Sequence, residues 1–127
     1  MPRQKYEGEI YIISSETTKE MLKAAEVVGV ARVHNKMRDY EQINELCKRQ
    51  GGKTVAVVDD TPISSDALRR TLESHRVKEV VVYYNPLEAR EEIPGNIPPF
   101  DTVFLDYRMP RMNGLELADK LRTGADI

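Results

Sequence analysis

Apolar residues recur along the chain in two rhythms. Near-continuous apolar runs occupy residues 10–13, 31–35, 54–58, 80–84 and 102–106, the pattern of strands buried on both faces. Helical spacing fills the stretches after them. Residues 17–28 put Met21, Leu22, Ala25 and Val28 on one face, with Gly29 as the stop, and residues 39–49 carry Ile43, Leu46 and Cys47. Residues 63–75 turn Ala67, Leu68 and Leu72 inward, 87–92 form a short helix, and 115–122 form a last one stopped near Gly124. Gln50-Gly51-Gly52-Lys53 reads as a linker, with 51–53 at its centre, and a proline-rich loop spans 94–99. Five strand-then-helix units predict one α/β domain over 1–127, with a parallel sheet covered on both faces.

Composition narrows the function. A chain of 127 residues suits a single buried core. With 31% charged and 40% hydrophobic residues and no long apolar run, neither a transmembrane helix nor a signal-peptide core is expected. A net charge of −2 gives no reason to expect nucleic acid as a partner. Cys47 is the only cysteine, so an intrachain disulfide and a cysteine-based zinc site are excluded, and its expected role is packing on a helix. These features together suggest a soluble domain of the reducing cytoplasm.

Two strand ends carry the candidate chemistry. Asp106 closes the run 102–106, and Asp59-Asp60 follow the run 54–58. In open α/β folds that edge is where ligands bind. Carboxylates converging there are costly unless a cation or a transferred group compensates them. Taken singly, each has an ordinary reading. Asp59 or Asp60 suits a helix N-cap before Thr61-Pro62, Asp106 a turn, Lys36 a solvated lysine and Ser14 a cap. His34 reads as a strand residue, and His75 as a helix-end residue that complements the dipole. Tyr83 and Tyr84 fit an edge strand, and Tyr40 falls near a helix start.

From Val55 onward the sequence resembles a response-regulator receiver domain. The resemblance rests on Val57-Val58-Asp59-Asp60 and on the run from Leu105 to Gly114 (Leu-Asp-Tyr-Arg-Met-Pro-Arg-Met-Asn-Gly). That family has five βα units, and only three follow Thr54. The other two resemble the front of the chain: Ile12-Ile13-Ser14-Ser15-Glu16 the family's fourth strand with its hydroxyl, Val33-His34-Asn35-Lys36-Met37 its fifth with the lysine. The spacing from Ser14 to Lys36 suits the family without an insertion. On this reading the chain is a circularly permuted receiver, residues 1–50 supplying the last two units and 54–127 the first three. Gly51-Gly52 would join the family's usual ends, and a diglycine joint favours an engineered join over a natural one.

The resemblance implies a flavodoxin-like, doubly wound five-stranded parallel sheet, ordered 4-3-5-1-2 in this chain's strand numbering. It implies Asp106 as the residue phosphorylated from a phosphohistidine, with one Mg²⁺ held by Asp59, Asp60, Asp106 and the backbone carbonyl of Arg108. Asp60 is expected to bind the ion directly and Asp59 through water. Lys36 and Ser14 would each contact a phosphoryl oxygen, while Glu16 and Arg108 would pair at the mouth. The implied partners are a histidine kinase or histidine phosphotransfer protein and an output protein on the 17–49 face. Direct nucleic-acid binding and membrane association are not expected, and the chain would be a monomer or weak dimer.

Two residues depart from the family pattern. Met37 stands where a proline after a cis peptide is common. A cis bond before a non-proline residue costs about 2.5–4 kcal/mol, so Lys36–Met37 is expected to be trans. Val33 stands where many receivers carry a switching aromatic, which removes aromatic coupling to Ser14. These departures motivate the main alternative, a phosphorylation-independent pseudo-receiver that acts as a protein-interaction module. A flavin or small-molecule binder on the same fold would need a phosphate loop after Val58, where Asp59-Asp60 would repel a phosphate without a metal. A non-permuted fragment would leave Lys36 unrelated to Asp106.

Overall fold

Every apolar run becomes a strand in the computed structural model, which describes residues 4–125; the remaining positions of the expected 1–127 domain lie outside the described residues. The elements are β1 (Glu9–Ser14), α1 (Lys19–Val28), β2 (Arg32–Asn35), α2 (Tyr40–Lys48), β3 (Thr54–Val58), α3 (Pro62–Ser74), β4 (Glu79–Tyr83), α4 (Pro86–Glu92), β5 (Thr102–Asp106) and α5 (Gly114–Thr123). A 3₁₀ turn, Ile93–Gly95, opens the proline-rich loop.

All strand pairings are parallel, and the strands lie in the order β2-β1-β5-β3-β4. This is the expected flavodoxin-like order read from its other edge. Alternate strand residues feed two cores. Ile10, Ile12, Ala56, Val58, Val103 and Leu105 pack with Met21 and Ala25 of α1, Ala89 of α4 and Leu117 and Leu121 of α5. On the other face, Tyr11, Ile13, Val55, Val57 and Phe104 meet Leu46 and Cys47 of α2 and Leu72 of α3. Each fully buried aliphatic side chain contributes about 1.5–3 kcal/mol through removal from water. Because both faces are covered, the strand ends are the sheet's main access to solvent chemistry.

The helix ends follow local signals. Thr18 Oγ1 accepts from the Met21 amide at 3.1 Å, and Gly29, at φ 93°, closes α1 in the left-handed region. Asn113 and Glu116 form a reciprocal capping box at the start of α5.

Several expectations need correction. Helix α1 begins at Lys19 rather than 17, and β4 ends at Tyr83. Leu22 is exposed, because the buried stripe of α1 runs through Met21 and Ala25 and places Leu22 about 100° around the helix. Ala67 is also exposed, since α3 buries Ser65 and Leu72. Tyr83 sits in the core despite its edge strand, with its ring edge-on to Phe100; Tyr84 is the exposed one. Gln50-Gly51-Gly52-Lys53 is an ordered turn rather than a loose linker. Buried Gln50 accepts from Thr102 Oγ1 at 2.7 Å, and the Gly52 amide donates to Arg76 O at 2.9 Å. Cys47 is buried as expected, His34 lies in β2, and His75 follows α3.

The amino-terminal segment packs at the same sheet edge as this turn. Tyr6 is buried, donates its hydroxyl to Phe100 O at 2.8 Å and its amide to Leu121 O at 2.8 Å. Arg122 donates to Tyr6 O at 2.9 Å and to Gly29 O. The segment before β1 and the end of α5 therefore meet at the sheet edge opposite Asp106.

Candidate acidic site at the strand ends

Register brings the candidate residues together. Ile13 pairs with Asp106 and Val58 with Leu105, so β1, β5 and β3 end at nearly one level. Ser14 pairs with Asn35, and Lys36 follows directly, its amide donating to Ser14 O at 2.8 Å. Asp59 follows β3, with its amide on Tyr83 O at 3.0 Å. Helix α3 leaves β3 on one face and α5 leaves β5 on the other. The gap between β3 and β5 is thus a topological switch point, the crevice where such sheets bind ligands.

Asp59, Asp60 and Asp106 converge there. One carboxylate oxygen from each lies within 4.8 Å of the others. Asp59 is buried and its Oδ1 accepts from the Thr61 amide at 2.9 Å. Asp60 Oδ1 is buried with no hydrogen-bond partner, and such an atom is destabilising without a cation or water. A hard cation with oxygen ligands fits this set of donors.

Lys36 Nζ lies 3.2 Å from Asp106 Oδ1, and the two side chains are 31% and 11% exposed. Burial pushes the Asp106 carboxyl above the ordinary carboxylate value; Lys36 opposes that shift and Asp59 adds to it. Behind Asp106 the backbone is tightly stacked. Gly114 donates to Tyr107 O at 2.8 Å, and a Cβ at Gly114 would lie 2.6 Å from Asp106 O.

The remaining predicted residues fall around this centre. Arg108 Nε donates to Glu16 Oε1 at 2.8 Å, the expected pairing. Ser14 is buried, but its hydroxyl donates to Glu16 O at 2.6 Å and accepts from Glu16 N at 3.1 Å; these bonds tie it to its own loop rather than to Asp106. The Lys36–Met37 peptide is trans, as expected; among the described residues Ile97–Pro98 is the cis bond.

Ser64 and the cavity beside Lys36 escaped the sequence reading. Ser64, in the first turn of α3, accepts from Lys36 Nζ at 3.2 Å. Its only sequence signal is its nearness to Asp60. Tyr40, Ile43, Ala67 and Leu68 wall an apolar cavity of about 200 Å³ that Lys36 and Ser64 also line. No helix among the described residues is long and apolar enough to cross a membrane.

The response regulator receiver domain model matches residues 55–126, from β3 onward. The chain is 42% identical over 69 residues to an uncharacterized response regulatory protein of Yersinia pestis, covering 54% of this chain and 28% of that protein. It is 40% identical over 74 residues to the response regulator MprA of Mycobacterium sp. strain KMS, covering 58% and 31%. A protein-glutamate methylesterase/protein-glutamine glutaminase of Thiobacillus denitrificans is 40% identical over 68 residues, covering 53% and 18%. The chain thus spans less than a third of the length of these curated relatives. No solved structure matches it significantly.

Proposed function

We propose a phosphoacceptor role for this chain, which belongs to the response regulator receiver domain family. Receivers are signalling domains of two-component systems, and Asp106 would take a phosphoryl group from a phosphohistidine on a histidine kinase or phosphotransfer protein. An Asp106 carboxylate oxygen attacks phosphorus as the N–P bond breaks. The bonding pair returns to the imidazole nitrogen, leaving a neutral ring when the other nitrogen carries the proton. The approach of Lys36 Nζ to Asp106 Oδ1, 3.2 Å, is the observation that carries this reading. A compact ammonium at that point neutralises charge on the transferring group.

Asp59, Asp60, Asp106 and the carbonyl of Arg108 would hold Mg²⁺, and the unpartnered oxygen of Asp60 supports the assignment. When bound, that ion supplies positive charge to the phosphoryl oxygens. Asp106 is the nucleophile, Lys36 the cationic contact, and Ser14 a hydroxyl that must leave Glu16 O before it can donate to a phosphoryl oxygen. The Glu16–Arg108 pair stands at the mouth of the site, where it would tune dephosphorylation.

The domain is a circularly permuted receiver. Supporting this, the family match begins at Val55, while β1 and β2, ahead of it, complete the sheet and bring in Ser14 and Lys36. The chain's own output would be contact through α1, β2 and α2, with no enzymatic turnover of its own. Titration with Mg²⁺ and beryllofluoride, followed by calorimetry, tests the proposal. Saturable binding lost in Asp106→Asn is expected. No binding, or binding unaffected by Asp106→Asn, would leave a phosphorylation-independent interaction module as the better reading.

A further inference from the structure

Lys36 reaches Asp106 past an apolar cavity rather than along a packed wall. Its long side chain loses considerable rotamer freedom when held in one place, and the open space offers other rotamers. Two polar contacts act against that freedom: Asp106 Oδ1 and Ser64 Oγ, each at 3.2 Å. They differ in permanence. Asp106 is the group that gains and loses a bond to phosphorus if phosphate is transferred, whereas Ser64 is chemically unchanged. Ser64 also lies in the first turn of α3, directly after the loop bearing Asp59 and Asp60. The acidic pair and the anchor of the lysine therefore ride on one short β3–α3 unit.

Building on the phosphoacceptor reading above, we infer that Ser64 is a positioning residue that holds the Lys36 ammonium at Asp106. Its hydroxyl oxygen takes one of the three ammonium hydrogens and leaves the others for Asp106 and an incoming phosphoryl oxygen. Lys36 opens a turn over residues 36–38 in which Asn35 Oδ1 accepts from the Met37 and Arg38 amides; those bonds hold the backbone and leave the ammonium to be held by its own contacts. Without Ser64, the ammonium is free to swing toward the cavity or solvent, and each transfer must first recover it.

The test uses acetyl phosphate as donor, with Mg²⁺ present and phosphate on the full chain read by intact mass. In this reaction an Asp106 oxygen bonds to phosphorus as the acetyl O–P bond breaks and acetate leaves. Ser64→Ala is expected to slow phosphorylation about tenfold, the order of one hydrogen bond to a charged group, while the half-saturating Mg²⁺ concentration stays unchanged. Ser64→Thr should restore the rate and Ser64→Val should not, a pair alike in shape that isolates the hydroxyl. In a Lys36→Ala background, Ser64→Ala should cause no further loss, because the effect passes through the lysine. An unchanged rate in both Ser64→Ala and Ser64→Val would overturn the inference, as would an equal loss with and without Lys36. Absence of phosphate on the wild-type chain would instead remove the phosphoacceptor reading, and this inference with it.

Discussion

The Lys36 ammonium meets the Asp106 carboxylate at 3.2 Å, joining the first and second halves of the chain in one site. A single strand makes this possible. β1 lies between β2 and β5, so it sets the level of both partners: Ser14 O accepts from the Lys36 amide, and Ile13 O accepts from the Tyr107 amide. A register slip in β1 would turn its core residues to the opposite face. The pairings Ser14↔Asn35 and Ile13↔Asp106 across β1 therefore set Lys36 level with Asp106.

Gly114→Ala should destabilise the domain by roughly 1–3 kcal/mol, the usual cost of forcing atoms into a packed position. The new methyl would lie 2.6 Å from the Asp106 carbonyl oxygen, and backbone cannot give way as a flexible side chain can. Urea unfolding measures the loss. Phosphorylation should fall as well, because the shift falls on the residue that carries the nucleophile.

Mg²⁺ should raise the stability of the wild-type chain by about 2.7 kcal/mol at roughly 100 times its dissociation constant. Asp60→Asn should lose most of that gain, since Asp60 contributes an otherwise unpartnered buried oxygen. The same substitution should stabilise the metal-free chain slightly by thinning the cluster of negative charge. Thermal unfolding with and without Mg²⁺ separates the two effects.

His34 predicts a pH dependence. It is buried in β2 and stacked on Tyr11, and burial lowers its pKa below the ordinary 6.5 while nearby Asp39 opposes the shift. The unfolded chain then binds the proton more readily than the folded one. This contribution is fully present above pH 6.5 and is lost as pH falls toward the depressed folded value. Denaturant unfolding between about pH 7.5 and 5 should show that decline, and His34→Gln should flatten it.

Much of the site was legible because strand ends are written locally. An apolar run followed by Asp59-Asp60 or Asp106 announces both the strand and the edge where its last side chain emerges. Lys36 and Ser14 were legible through family spacing. What escaped depends on tertiary neighbours. Tyr6 is one aromatic in a polar stretch without periodicity, and its burial comes from Phe100, Leu121 and Arg122 far along the chain. Tyr83 lies on an edge strand yet is covered by Phe100. Ser64 carries no motif, and only the tertiary fold brings Lys36, 28 positions earlier in the chain, to it. Gly51 and Gly52 suggested looseness, whereas the bonds of Gln50 to Thr102 and Gly52 to Arg76 make the turn part of the domain.

Phosphotransfer to Asp106 itself tests the central claim most directly. The wild-type chain, a Lys36→Ala variant and an Asp106→Asn variant would be treated with acetyl phosphate and Mg²⁺, and the modified residue located by tandem mass spectrometry after borohydride trapping. The account predicts one phosphate on Asp106 in the wild type, a slower reaction in Lys36→Ala and none in Asp106→Asn. Phosphate on another residue, or an equal yield in Asp106→Asn, would contradict it.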